Sequence, residues 1–168
     1  MTHGTPEKLY QLMDTVADAN MAIESVVALA TRELRIFDAT PRTLRDRGFG
    51  APARIDLLRT LLIGSRAHRL RIALHDTRAI EAELPRLMLL LTQFSGQLEI
   101  HRTVGQAAEV HDTMIVADDA HFWRKPHIDH ARSVMTLHDA VDAKPFIERF
   151  EEIWETSEIA ASGSTIGL

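Results

Sequence analysis

Residues able to do chemistry gather in two stretches. In the first, His111 and Asp118 stand on either side of the apolar run Met114-Ile115-Val116-Ala117, with Thr113 between them and Lys125 a little further on. In the second, Arg42, Arg45 and Arg47 crowd a segment rich in proline and glycine, from Pro41 to Pro52. Guanidinium groups bind phosphate bidentately, so these arginines form either a phosphate cradle or a solvated set paired with nearby acids. His111, His121, His127, His130 and His138 raise the question of a transition-metal site, because neutral imidazoles bind zinc, nickel and copper. They show no helical His-x-x-x-His pair and no Glu-linked motif, so surface histidines are expected, with no metal site and no cofactor.

These groups need elements to position them. Thr5-Pro6-Glu7 opens like a helix, with a hydroxyl cap and proline in the first turn, and apolar residues from Leu9 to Ala30 recur at helical spacing. The pattern predicts one long helix running to about Thr31. A short strand over Leu34 to Phe37 follows, then the arginine-bearing segment as a loop at the strand's end, where α/β proteins usually hold their ligands. Ile55 to Leu62 reads as a helix, and Leu70, Ile72 and Leu74 as a second strand. Thr77 is positioned to cap a third helix that Pro85 kinks or splits, ending near Gly96. Leu98 and Ile100 mark a third strand. The rhythm of strands and helices implies a parallel sheet with covering helices.

After Gly105 the rhythm changes. Met114 to Ala117, His121 to Lys125 and Ser133 to Leu137 are short strands separated by small polar loops, which predicts an antiparallel extension of the same sheet. Val141 to Ser157 is a helix with Phe146, Phe150, Ile153 and Trp154 on one stripe. The expected organisation is therefore one α/β domain over 1–158 and a flexible tail over 159–168.

Composition narrows the function classes. The chain of 168 residues contains no cysteine, which excludes disulfides and thiolate zinc sites. The apolar run Leu87 to Leu91 is far shorter than the roughly 20 residues of a membrane span, and the N-terminus reads as unprocessed. A cytoplasmic protein is expected. Between Arg32 and Arg71 ten arginines stand against four acids, while the net charge of the whole chain is −5. Bulk attraction to nucleic acid is thus disfavoured, but a local basic face is open.

With His111-x-Thr113-x4-Asp118 around an internal strand, and Phe150-Glu151-Glu152-Ile153-Trp154 on the last helix, the chain resembles the phospholipase D superfamily of phosphodiesterases. That family carries His-x-Lys-x4-Asp at this place, and the resemblance extends over roughly Ala30 to Ser157. Leu34-Arg35-Ile36-Phe37 and the Phe150 to Trp154 phrase make it similar to a small bacterial group with a single, degenerate domain of this kind. The resemblance implies a mixed sheet flanked by helices, with a parallel first half and an antiparallel extension. It also implies His111 as the nucleophile toward phosphorus and Asp118 as its companion. The family's lysine, which neutralises the phosphoryl oxygens, is replaced by Thr113; losing such a contact costs about 3 kcal/mol or more in barrier. Lys125 or Arg124, on the next strand, could reach the site instead. Active relatives pair two such motifs, so only a homodimer of this chain would complete the constellation.

The expectation is a non-catalytic domain, homodimeric and not membrane-bound. It would bind a phosphorylated small molecule, nucleic acid or partner protein through Thr113, Arg42, Arg45, Arg47 and Lys125. The rivals are a phosphodiesterase or nuclease working through His111, and a module that serves interaction alone.

Overall fold

A computed structural model describes residues 4–161. An eight-stranded sheet runs through the molecule in the order β1-β7-β6-β5-β2-β3-β4-β8. Its parallel half consists of β2 (Glu33–Asp38), β3 (Arg69–Leu74) and β4 (Leu98–Arg102). Its antiparallel half consists of β5 (Thr113–Ala117), β6 (His121–Lys125), β7 (Ser133–Leu137) and β1 (Leu9–Met13), with β8 (Glu158–Ala161) antiparallel on the far edge. The expected α/β architecture, parallel first and antiparallel after, is the one observed. The two halves meet where β2 pairs with β5.

One face is covered by α1 (Val16–Leu29), α3 (Pro52–Ile63) and α5 (Pro85–Gln93), the other by α6 (Ala140–Thr156). Because β5 is covered on both sides, it reads as a continuous apolar run, while β2 and β3 break theirs with Arg35 and Arg71 on the α6 side. Met114, Ile115, Val116 and Ala117 are all fully buried, alternating between the two cores.

Four expectations are corrected. The long N-terminal helix is instead β1 followed by α1, which starts at Thr15, whose side chain accepts from the Asp18 amide. Leu9, Leu12, Met13 and Val16 match helical spacing, yet the first three belong to a strand, because β7 offers an edge that Leu9–Met13 pairs with residue for residue. The arginine-bearing segment is not an open loop: α2 (Pro41–Leu44), closed by a reciprocal Thr40–Thr43 capping box, runs into a wide π-helical turn, Arg45–Phe49. The third helix is split at Pro85 into α4 (Ile80–Glu83) and α5, but Thr77 caps neither piece, and Ala79 precedes α4 in the left-handed conformation. The chain past Ser157 is not all tail, since Glu158–Ala161 forms β8 on β4; residues 162–168 lie outside the described residues.

The join between the halves is clasped by Asp118. The side chain accepts hydrogen bonds from the backbone amides of Thr31, Arg32 and Glu33 and from the Thr31 hydroxyl, at 2.8 to 3.3 Å. Burial opposes its charge, but these donors outweigh that penalty and hold the carboxyl below the ordinary carboxylate range. Asp118 itself sits at φ 54, a left-handed turn position that aspartate tolerates. Asp118→Ala is expected to lower the unfolding free energy by about 3 kcal/mol, because three amides lose an ionic acceptor. Since the folded carboxyl titrates below its unfolded value, the stabilisation is present above about pH 4 and is lost as pH falls through the folded value. Urea unfolding should therefore show the gap between wild type and Asp118→Asn closing in acid.

Candidate anion site

The parallel strands β2 and β3 point their C-terminal ends at one edge of the domain, and the site is built there. β2 ends in Asp38, which is fully buried. The Ala39 amide donates to its Oδ1 at 2.8 Å, and the Thr113 hydroxyl donates to the same oxygen at 3.3 Å. Arg47 binds it from the π-helical turn, Nε to Oδ2 at 2.7 Å, and lies 5.1 Å from the centre of the Trp123 ring. A buried carboxylate is tolerable only with such pairing.

Arg47 is aimed by the shape of its turn. Gly48 has φ 98, and a Cβ there would stand 3.0 Å from an Arg54 nitrogen. Only glycine combines that backbone with such a close approach. Arg54, buried beneath the turn, donates to the carbonyls of Arg47 at 3.0 Å and Asn20 at 3.4 Å. Burial pushes its guanidinium below the usual arginine value, against the pull of Glu24.

Lys125 completes the site from β6. It stands opposite Thr113 in the β5–β6 ladder and is half-buried. It forms no ion pair with a described residue. Burial, and then the positive charge of Arg47, push its ammonium below the ordinary lysine value, while Asp38 and Asp129 pull the other way. With Asn20, Asp38, Thr43 and Arg47, Lys125 lines an open cavity of about 370 Å³. Two acids, Asp46 and Asp129, also stand on its rim, with Arg45 3.6 Å from Asp46 and the His127 ring 3.7 Å from Asp129. The donors left for a guest are those of Lys125, the outer face of Arg47 and the second N–H of the Asn20 amide.

The structure brings together Thr113, Arg47 and Lys125 and leaves the other candidates elsewhere. His111 is exposed ahead of β5; its carbonyl accepts from the Ile128 amide at 2.9 Å, and its ring faces His127, 6.3 Å between centres. Asp118 lies at the opposite end of β5, roughly 20 Å away at strand rise, so the two residues whose spacing suggested joint chemistry do not share a site. Arg42 and Arg45 turn away from the cavity to pair with Glu83 on α4. Among the described residues no cluster of three His, Asp or Glu side chains can hold a metal. Asp38 was the residue missed: an acid at the end of an apolar strand, followed by three arginines within nine positions, is the signal that marks it.

The family model for DUF7931, a domain of unknown function, matches residues 15–162. The chain belongs to this family. No curated protein matches it. Among solved structures, this DUF7931 domain is similar to TrmBL2, an archaeal chromatin protein described with a novel mode of DNA binding, at TM-score 0.63 and 16% identity over 89% of this chain. It spans about half of that protein, 53%. It is also similar to Nuc from Salmonella typhimurium, a phospholipase D family member, at TM-score 0.58 and 14% identity, covering 93% of this chain and all of that one. NucT from Helicobacter pylori gives TM-score 0.58 at 12% identity, over 91% and 99% of the two chains. These likenesses establish a phospholipase D-like fold for the DUF7931 domain.

The two cations should respond oppositely to removal. Arg47→Met strands a buried carboxylate and is expected to cost about 3 kcal/mol or more. Lys125→Met removes a half-desolvated charge for which burial and Arg47 outweigh the pull of Asp38 and Asp129, so the melting temperature should stay level or rise by a few degrees, as at binding sites that trade stability for function. Thermal unfolding of the two variants, side by side, checks both.

Proposed function

We propose that this protein is a phospholipase D-like domain that binds a phosphorylated ligand at the Arg47–Lys125 cavity and does not hydrolyse it. The observation that carries the reading is Lys125: a cation pushed below its ordinary pKa, unpaired, and held beside a fixed guanidinium at the C-terminal end of a parallel sheet. A dianionic phosphoryl group would meet the ammonium and the outer edge of Arg47 together, with the second N–H of the Asn20 amide at hand for a remaining oxygen. The bound charge would restore Lys125 toward its ordinary value, and that recovered energy is the source of affinity.

The same geometry speaks against turnover. His111 is outside the cavity and turned toward His127, and Thr113, in the place where the phospholipase D family has lysine, gives its hydroxyl to Asp38. On this reading His111-x-Thr113-x4-Asp118 is a degenerate form of that family's motif, kept for the fold, as expected of the bacterial group with one such domain. The protein works in the cytoplasm, where phosphorylated metabolites and nucleic acids are available. Among the described residues no helix is long and apolar enough to cross a membrane.

Inorganic phosphate, a nucleoside monophosphate and a short single-stranded oligonucleotide should each be titrated in a thermal-shift assay. The proposal expects a rise in melting temperature with at least one of them, lost in Lys125→Met, and a response growing with oligonucleotide length would identify nucleic acid as the ligand. No hydrolysis of bis(p-nitrophenyl) phosphate is expected. Hydrolysis that disappears in His111→Ala would instead establish the phosphodiesterase reading, and the absence of any shift would leave the interaction module.

A further inference from the structure

The two edges of the sheet are unlike. On one side β8 has only four residues, opens with Glu158 paired to Arg102, and is bulged against β4, all features that discourage another strand from adding. On the other side β1, Leu-Tyr-Gln-Leu-Met, is paired in regular register along all five residues and free of charge and proline. Among the described residues no strand pairs with its outer side. Leu9, Tyr10 and Leu12 are 46%, 63% and 55% exposed, and Val16 and Met21 of the adjoining helix are equally bare. Among the described residues, three of the exposed large apolar side chains, Leu9, Tyr10 and Leu12, therefore lie on the unpaired edge itself.

The sequence around that edge is self-complementary. A twofold axis perpendicular to the sheet through Gln11 sets Leu9 against Met13 of a second copy and Tyr10 against its Leu12. It also places Lys8 against Asp14, each contact occurring twice. Residues that share a face stay together, as antiparallel pairing demands. Tyr10 and Leu12 would form two aromatic–aliphatic cross-strand pairs on the α6 side. Shifting the register by two residues toward either end puts Lys8 against Leu12, or Asp14 against Tyr10, so the charges select the Gln11-centred register. Lys8 and Asp14 are themselves exposed and at present meet a half-buried Asp139 at 3.6 Å and an exposed Arg132 at 3.4 Å, surface pairs that compete weakly.

We propose that β1 is a homodimerisation edge and that two chains join through β1 about Gln11 into one continuous sheet. The occupant is a second copy of this chain. In that dimer the two Arg47–Lys125 cavities lie at opposite ends of the joined sheet, because the twofold reverses strand direction and each cavity sits two strands in from the edge. The two His111 residues are then far apart, so this dimer supplies two separate sites and not one shared catalytic centre.

Sedimentation velocity of the full chain across a concentration series tests it. A dimer is expected, weakened at least tenfold by Gln11→Lys, which sets like charges face to face on the axis; unchanged melting of the monomeric state shows the fold intact. Lys8→Asp and Asp14→Lys should each impair self-association, yet an equimolar mixture of the two should dimerise, since every charge then meets its opposite. A wild-type chain that stays monomeric overturns the proposal. So does a dimer indifferent to Gln11→Lys, or a pair of charge variants that fails to associate on mixing while each remains folded.

Discussion

A carboxylate that accepts from three consecutive backbone amides leaves the chain little freedom, and Asp118 does this at the entrance to β2. Parallel strands arrive from one direction and the hairpin β5–β6 from the other, so their junction needs something to fix its register. Asp118 fixes it by binding the end of β5 to the start of β2, and Arg35 adds a 2.8 Å bond to the Asp118 carbonyl. With that register set, Ile115 faces Ile36, Met114 faces Phe37, and Thr113 arrives beside Asp38 at the other end. The cavity exists because the clasp lies a whole strand away from it.

A second constraint lies under α6. Arg35 and Arg71 project from neighbouring strands on that face, where Glu33 and Glu151 neutralise them and the rings of Phe150 and Trp154 lie 5.3 Å from Arg71. The hydrogen bonds of Arg71, foremost, hold Glu151 below the usual carboxylate range. Such a layer is weak evidence for stability, since desolvation offsets much of the attraction. Its effect is positional: two guanidiniums with defined partners fix how α6 crosses the sheet. The same account covers most of the apparent basic stretch between Arg32 and Arg71, whose arginines largely meet acids or carbonyls inside the fold. What remains as a basic feature is the local pair at Arg47 and Lys125.

Asp38, Arg47 and Lys125 together set the charge of the cavity. With a hydroxyl at position 113, the buried carboxylate has an arginine as its main partner, and the lysine one strand over forms no ion pair with a described residue. That arrangement suits a guest bearing charge.

Much of the architecture was legible in the residues. Period-two and continuous apolar runs marked β2 to β7, Pro85 marked the break between α4 and α5, and the aromatic stripe marked α6, because each reflects local burial that side-chain spacing records directly. Leu9 to Val16 fits a helix equally well by spacing, and only the free edge of β7 made its first part a strand. The π-helical turn was hidden in the same way, since its need for Gly48 comes from Arg54 packing beneath it. For the site, the sequence determined the groups available: His111, Thr113, Asp118, Lys125 and the arginines. Tertiary structure alone decided which of them meet. Residues seven apart along an extended strand end up at its opposite ends, whereas Asp38, Arg47, Thr113 and Lys125 converge from four separate elements, and no local pattern encodes that convergence.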